Sequence, residues 1–462
     1  MNNEEKVTCV ALHGLTLVTM DETRRIIKDA GILWEDDRIK MIGFSTEIIK
    51  SAEERNIKSQ DCSGKIAFPG LVNTHTHLYQ NLLKGLGTDS ALESWWHKVI
   101  APAGIHLKHS HLAAAVAGGA IEAVRSGVTT IVDYMQVHPI PNLSDSEITV
   151  MRDIGVRLVY GRGFRTTGRD SGFPAELIEQ TQDVFADVLR LKKKFEKPDQ
   201  MTTIWLAPAG AWALSLESLQ ETSGFSRQYD IPVMMHMYET DSDEIVCRKK
   251  YNTSALDYFI NSGLLTNRLL AVHCVKTGEE ELKMFQKHGV QVSHNPVSNM
   301  YLASGVAPVP KMHQAGLTVS LGTDGAASNN CNDLLEVIKT TALLQKVHLL
   351  DPLAMTAQRV LEMSTIDAAK CIGLEKEIGS LEVGKKADFF IVNPYRCARM
   401  CPVHDPVASL VYSGGNRAVE KVVINGKIVL NNGSFVNVDE EKVLIDEQQK
   451  ANELVVQAGY FS

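Results

Sequence analysis

The spacing of hydrophobic positions changes character twice along the chain. From residue 1 to about 65, short apolar runs are separated by polar turns. Val7–Leu12, Leu15–Met20, Gly31–Trp34 and Arg38–Gly43 read as β segments, with no helical period before about residue 44. From about 66 to 325 the pattern becomes strand-then-helix. The apolar runs are Ile66–Val72, Val128–Tyr134, Arg157–Arg162, Thr203–Pro208, Ile231–Met237, Leu269–Val275, Val290–His294 and Thr318–Thr323. Each is followed by a longer amphipathic stretch. The clearest is the Ala-rich His111–Arg125, which Ser126-Gly127 stops. The tail returns to β: Gly379–Asp388 leads into Phe389–Val392, and Val422–Val429 reads as a hairpin turning at Asn425-Gly426.

Strand-then-helix repeated in this way predicts an α/β protein with a (β/α)8 TIM-type barrel. The expected organisation has residues 1–65 and 379–438 as two parts of one composite β-sandwich built from both chain ends. Residues 66–378 form the barrel and 439–462 a helical tail. No repeat of solenoid period and no low-complexity stretch competes with this reading.

In such a barrel, chemistry sits at the C-terminal ends of the strands. Strand one leads into Asn73-Thr74-His75-Thr76-His77, with two histidines at i and i+2, on one face of an extended chain. Strand five ends in His236-Met237-Tyr238-Glu239, strand six in His273-Cys274 and strand eight in Gly322-Thr323-Asp324-Gly325. A lone histidine on an apolar strand is usually a satisfied core residue. Histidine or aspartate at four strand ends of one barrel instead points to a metal pincer, because buried charge without a partner is rare.

Charge and composition narrow the partners. The net charge of −8 carries no basic stripe, and the longest cationic run is Lys192-Lys193-Lys194, a solvated helix face. Nucleic acid is therefore not expected. The eight cysteines show no CxxC pair, no basic-then-apolar leader opens the chain, and no apolar stretch is long enough to span a bilayer. The expectation is a reduced, cytoplasmic protein without a membrane partner.

The motifs PGLVNTHTH (69–77), HMYET (236–240), HCV (273–275), SHNPVSNMYLASGVAPV (293–309), LGTDGAASNN (321–330) and GSLEVGKKADFFIV (379–392) resemble the amidohydrolase superfamily. The resemblance covers nearly the whole chain. It is specifically to the cytosine-deaminase-like and chlorohydrolase-like branch, which includes adenosylhomocysteine/methylthioadenosine, guanine, 8-oxoguanine and pterin deaminases and triazine hydrolases. It implies one divalent metal on His75, His77, His236 and Asp324. It also implies Glu239 as proton shuttle, His273 as a hydrogen-bonding or electrophilic group, and Asp324 as both ligand and acceptor for the water. Zn²⁺ suits three imidazoles and a carboxylate, and Fe²⁺ or Mn²⁺ also fits. The metal would bring a water toward neutral pKa. Strand four ends Leu206-Ala207-Pro208-Ala209-Gly210 with no lysine, where binuclear relatives carry a carboxylated one, so a single metal is expected.

The implied reaction is hydrolytic deamination of an aminated nitrogen heterocycle, releasing ammonia. Within the branch the alternatives are a nucleoside deaminase or a triazine-type hydrolase. The complete ligand set argues against a non-catalytic binding barrel. Nucleoside deaminases of the branch carry a histidine where this chain has Ala209 and an acidic residue where it has Gly104, so a free purine, pterin or triazine-like ring is favoured. The loop 161–174 resembles that of members acting on free heterocycles, and Arg162, Arg165 or Arg169 would hold a ring carbonyl by a forked contact. Gln80, Trp95, Trp96, His294 and Ser328 complete the candidate substrate contacts. A homodimer or higher assembly is the family-based expectation.

Overall fold

The computed structural model describes residues 9–169 and 172–460. Eight parallel strands make the barrel: Leu71–Thr76, Val128–Met135, Arg157–Phe164, Thr202–Pro208, Val233–Met237, Leu269–His273, Gln291–His294 and Val319–Leu321. They lie side by side in chain order. They read as near-continuous apolar runs because barrel strands are buried on both faces, and every residue of Val128–Met135 and Arg157–Phe164 is buried. Side-chain and main-chain hydrogen bonds close the ring between strands eight and one. Thr74 Oγ1 donates to Leu321 O at 2.9 Å, Thr323 N to Asn73 Oδ1 at 3.0 Å, and Asp324 N to His75 O at 2.9 Å. The closure thus runs through the segment that carries the HxH pair.

Val72, Val132, Val159, Trp205, Met234 and Leu270 form a cluster with Ala368, Cys371 and Ile372. The short helix Ile366–Cys371 therefore seals the barrel end opposite the site. Burying such side chains is worth about 1.5–3 kcal/mol each. The floor is packed shut, and chemistry is left to the other mouth.

The expected first strand is two strands. Ile66–Pro69 pairs antiparallel with Phe389–Val392 in the outer sheet, and only Leu71–Thr76 enters the barrel. Pro69-Gly70 is the crossing point, and Gly70 N donates to Asp388 O at 3.0 Å. The outer sheet has nine strands drawn from both chain ends, and Val419–Ile424 and Lys427–Asn431 form the hairpin at Asn425-Gly426. The sheet curls onto itself. Trp34 packs edge-on against Phe389 with ring centroids 5.3 Å apart, and its Nε1 donates to Gly426 O at 2.9 Å. The last helix, Glu440–Gln457, returns to the barrel through Glu440 on Arg125 and Glu447 on Asn81. No helix among the described residues is long and apolar enough to cross a membrane.

Candidate metal centre and active site

His75 lies in strand one and His77 one residue past it, and both face the mouth. Their ring centroids are 4.7 Å apart, and His236 from the end of strand five lies 5.1 Å from His75 and 5.3 Å from His77. Asp324 follows strand eight, with Oδ1 3.4 Å from His75 Nε2 and 3.3 Å from His77 Nε2. The chain turns sharply at three of these strand ends. Tyr238, His273 and Asp324 have φ of 53°, 74° and 60°. Non-glycine residues adopt such left-handed conformations at a cost of order 1–3 kcal/mol, and they cluster at sites where a side chain must be aimed.

Hydrogen bonds fix the imidazole tautomers. His77 Nδ1 lies 2.5 Å from Tyr134 O, and His236 Nδ1 lies 3.2 Å from Ala209 O. A carbonyl only accepts, so each Nδ1 carries the proton and each Nε2 presents a lone pair. Those two Nε2 atoms lie 3.3 Å apart. Two lone pairs held face to face repel unless a cation lies between them. Neither ring nitrogen of His75 has a hydrogen-bond partner among the described residues, which leaves it equally available.

Electrostatics point the same way. Burial, then His75, takes His77 down to about 4, and burial holds His236 well below its usual value. Burial alone would raise Asp324, but the imidazoles around it, His75 first, keep it ionised. Neutral imidazoles with a carboxylate are the donor set of a divalent transition ion, so these residues fit a metal.

His273 differs. Asn299 Nδ2 lies 3.0 Å from its Nδ1, which must accept, so Nε2 carries the proton. Nε2 lies 3.6 Å from Glu239 Oε2 and 3.9 Å from Asp324 Oδ2. Burial takes His273 down to about 3, making it a neutral donor. Burial, then the Asp324 carboxylate, pushes Glu239 up to about 8, and Ser304 Oγ donates to its Oε1 at 3.4 Å. On the far side, Ser298 Oγ donates to Asp324 Oδ2 at 2.5 Å and contacts Ser328 Oγ at 3.2 Å. Nothing in the sequence assigns a role to Ser298 or Asn299, although both lie in the 293–309 motif. Tyr134 was missed as well; its ring packs 4.5 Å from His236.

The candidate substrate contacts divide. Gln80 lies against Gly325, next to Asp324, and Ser328 joins the Asp324 network. Trp95 anchors its loop through Nε1 to Ala327 O at 3.0 Å. Trp96 packs on Phe173 at 4.3 Å. His294 is buried at the end of strand seven with no ring-nitrogen partner among the described residues. Arg162 is committed elsewhere: Nε donates to Asp187 at 2.8 Å and Nη2 to Glu179 at 2.5 Å, with His138 Nδ1 2.9 Å from Nη1. That pairing removes it as a substrate contact. Arg169 is exposed. Arg165 is fully buried beside Trp96. Asp170 and Ser171 of the same loop lie outside the described residues. Gly104 is packed so that a side chain there would meet Val137 and Leu177.

Fold and donor set together define a class, barrels whose C-terminal mouth gathers residues able to hold a metal. The sequence pattern of the amidohydrolase family matches residues 66–429. A 5′-deoxyadenosine deaminase of Methanothermobacter thermautotrophicus is 34% identical over 431 residues, 93% of this chain and 95% of that protein. A 5-methylthioadenosine/S-adenosylhomocysteine deaminase of Pyrococcus furiosus is 34% identical over 414 residues, 89% and 93% of the two chains. Among solved structures, the zinc complex of atrazine chlorohydrolase from Arthrobacter aurescens TC1 superposes with a TM-score of 0.89 at 25% identity, covering 96% of this chain and 100% of that one. An adenosine deaminase from Xanthomonas campestris with bound zinc gives 0.88 at 25% identity, over 97% and 98%. The chain belongs to the amidohydrolase family, and with its relatives it is a hydrolase acting on carbon–nitrogen bonds other than peptide bonds.

Proposed function

We propose that this enzyme deaminates an aminated nitrogen heterocycle, with one divalent ion, zinc in the first place and iron or manganese as alternatives, on His75, His77, His236 and Asp324. The facing Nε2 lone pairs of His77 and His236 carry the reading. When bound, the ion supplies Lewis acidity that makes water a nucleophile near neutral pH. Glu239 would take one proton from that water at Oε2 and deliver it to a ring nitrogen of the substrate, then take the remaining proton from the newly added hydroxyl and pass it to the leaving amine, which departs as ammonia. Its carboxyl, lifted toward the working pH, suits both directions of transfer. His273 donates from Nε2 to the oxygen on which charge develops. Asp324 accepts at Oδ2, which Ser298 orients.

The relatives named above act on adenosine derivatives and the solved neighbours on adenosine or a triazine. For this chain we favour a ring without ribose. Ala209 offers only a methyl group, and Gly104, set against the apolar Val137 and Leu177, has no side chain to hold sugar hydroxyls. Free thiols at all eight cysteines support a reducing compartment such as the cytoplasm. Exposed Leu343, Val347, Leu350 and Leu353 support a homo-oligomer, which light scattering measures.

Ammonia release by zinc-loaded enzyme tests the reading across free aminopurines, pterins, 5′-deoxyadenosine and an aminotriazine, with chloride release from a chlorotriazine alongside. Turnover of 5′-deoxyadenosine without turnover of any free ring would select the nucleoside alternative. Halide release alone would select the triazine-type hydrolase, and no release from any compound would reject the deaminase.

A further inference from the structure

Arg165 is fully buried, and none of its three guanidinium nitrogens has an acceptor among the described residues. Burial draws it down only to about 10, so it is a cation at neutral pH. Glu179, the carboxylate that acts on its charge, is already paired with Arg162, and a buried cation without an anion hydrogen-bonded to it is strongly unfavourable in a folded chain. Three aromatic rings enclose it: Trp96 at 4.6 Å, Phe173 at 5.0 Å and Trp212 at 5.9 Å from the guanidinium carbon to the ring centroid. Ring faces attract a cation and recover part of the lost hydration, but they accept no N–H hydrogen bond of ordinary strength.

The backbone around this enclosure is built for it. A side chain at Gly168, φ 121°, would meet the Phe173 ring at 2.6 Å, and one at Gly210, φ 158°, would meet Trp212 Nε1 at 2.7 Å. Glu179 N donates to Arg165 O at 2.9 Å, so the arginine is pinned from its own main chain.

The enclosure adjoins the metal-ligand cluster. Trp212 packs against Gly210, and the carbonyl of the preceding Ala209 accepts from His236 Nδ1, while the Tyr134 ring packs on His75, His77 and His236. Trp96 Nε1 and the Tyr134 hydroxyl are also buried without a partner among the described residues. The guanidinium and Trp96 Nε1 can only donate, so a molecule that completes them meets them with acceptors.

We propose that Arg165 determines substrate specificity: it binds a negatively charged oxygen group, a carboxylate or an ionised ring oxo group, on the heterocycle whose amine is removed. This rests on the deaminase reading and names its substrate class. The guanidinium fork matches two oxygens of a carboxylate, or an oxo oxygen and a neighbouring ring nitrogen. Trp96 and Phe173 would hold the flat ring beside it.

The test uses zinc-loaded wild type, Arg165→Met and Arg165→Lys with three probes: pterin-6-carboxylate, 8-oxoguanine and oxo-free adenine. Binding is read from quenching of tryptophan fluorescence, turnover from ammonia, and stability from the melting temperature of the ligand-free protein. Expected is a loss of binding on the order of 10²-fold in Arg165→Met for one or both oxygenated probes, with adenine changed less than about 3-fold. The probe that responds tells carboxylate from ring oxo group. Arg165→Lys recovers charge but not the fork, and falls between. Ligand-free Arg165→Met melts at or above the wild-type temperature, because removing an unpaired buried charge relieves the fold. Equal weakening of all three probes, or a clear fall in melting temperature, makes Arg165 a scaffold residue and overturns the proposal. Asp170→Asn destabilising the protein non-additively with Arg165→Met would reveal an internal counter-ion and overturn it too. Ammonia from adenine alone leaves the deaminase standing without this specificity. Ammonia from no compound in the wider panel rejects the deaminase, while the binding data still judge Arg165.

Discussion

Asn299 Nδ2 lies 3.0 Å from Nδ1 of His273, and that one contact decides which nitrogen of the imidazole faces the reaction. Ser298, the preceding residue on the same short helix, donates to Asp324. Two adjacent side chains therefore orient two different groups of the site. Asn299→Ala is expected to lower kcat about 10–100-fold with bound metal unchanged. Asn299→Asp should be worse, because a carboxylate at Nδ1 calls for a proton there and leaves Nε2 a lone pair. The checks are kcat, metal content by mass spectrometry and the ¹⁵N shifts of His273. Loss of the ion in Asn299→Ala would place Asn299 in support of the ligands instead.

Ligand and proton-carrier roles separate by mutation. His75→Ala is expected to lose the ion, since three donors remain and the open position admits solvent. Glu239→Gln should keep the ion and lose turnover about 10²–10⁴-fold, because the amide fills the same space without titrating. Metal analysis alongside ammonia release checks both. Full occupancy in His75→Ala, or near wild-type turnover in Glu239→Gln, contradicts the corresponding role.

The barrel is legible in the sequence because its strands are apolar runs set between helical periods. The candidate metal-ligand cluster is legible because polar residues at strand ends stand out against those runs. The split of residues 66–72 between two sheets is not legible, since an apolar run looks alike on either side of Pro69-Gly70 and only pairing partners far along the chain distinguish its halves. The arginines show a different limit. Arg162 and Arg165 are three apart, an odd spacing that sends them to opposite faces of an extended chain. Which one turns outward depends on Glu179 and Asp187, whose pairing with Arg162 has no local signature. Ser298 and Asn299 read as ordinary polar helix residues until the fold sets strands six and eight on either side of them.

Asp243 sets a pH dependence of stability. It is buried, accepts from Tyr238 N at 2.6 Å through Oδ2, and burial pushes its carboxyl from 3.8 to about 7. The folded state therefore binds the proton more tightly than the unfolded chain. This contribution is fully present below about pH 4 and is lost as pH rises through about 7. Asp243→Asn keeps an oxygen for Tyr238 N and removes the titration. Its stability relative to wild type should rise by about 2–4 kcal/mol between pH 5 and pH 8. Urea unfolding at the two pH values measures this, and a relative stability that does not change with pH would show that Asp243 does not titrate in this window.

Arg157 and Asp388 join the barrel to the outer sheet. Arg157 opens strand three, Asp388 directly precedes the outer strand Phe389–Val392, and the pair is bidentate, with both side chains at most 2% exposed. Each has further partners: Thr130 Oγ1 accepts from Arg157 at 3.3 Å, and Asn425 N donates to Asp388 Oδ2 at 3.1 Å. Asp388→Leu leaves a guanidinium buried without its anion and should cost about 3–5 kcal/mol. Arg157→Met alone should cost less than that, because a lone carboxylate still accepts from Asn425 N. The double variant Arg157→Met with Asp388→Leu removes both desolvated charges and should recover most of the loss, a coupling that a double-mutant cycle in denaturant reads directly. Strict additivity of the two single changes would mean that the ion pair does not hold the outer sheet to the barrel.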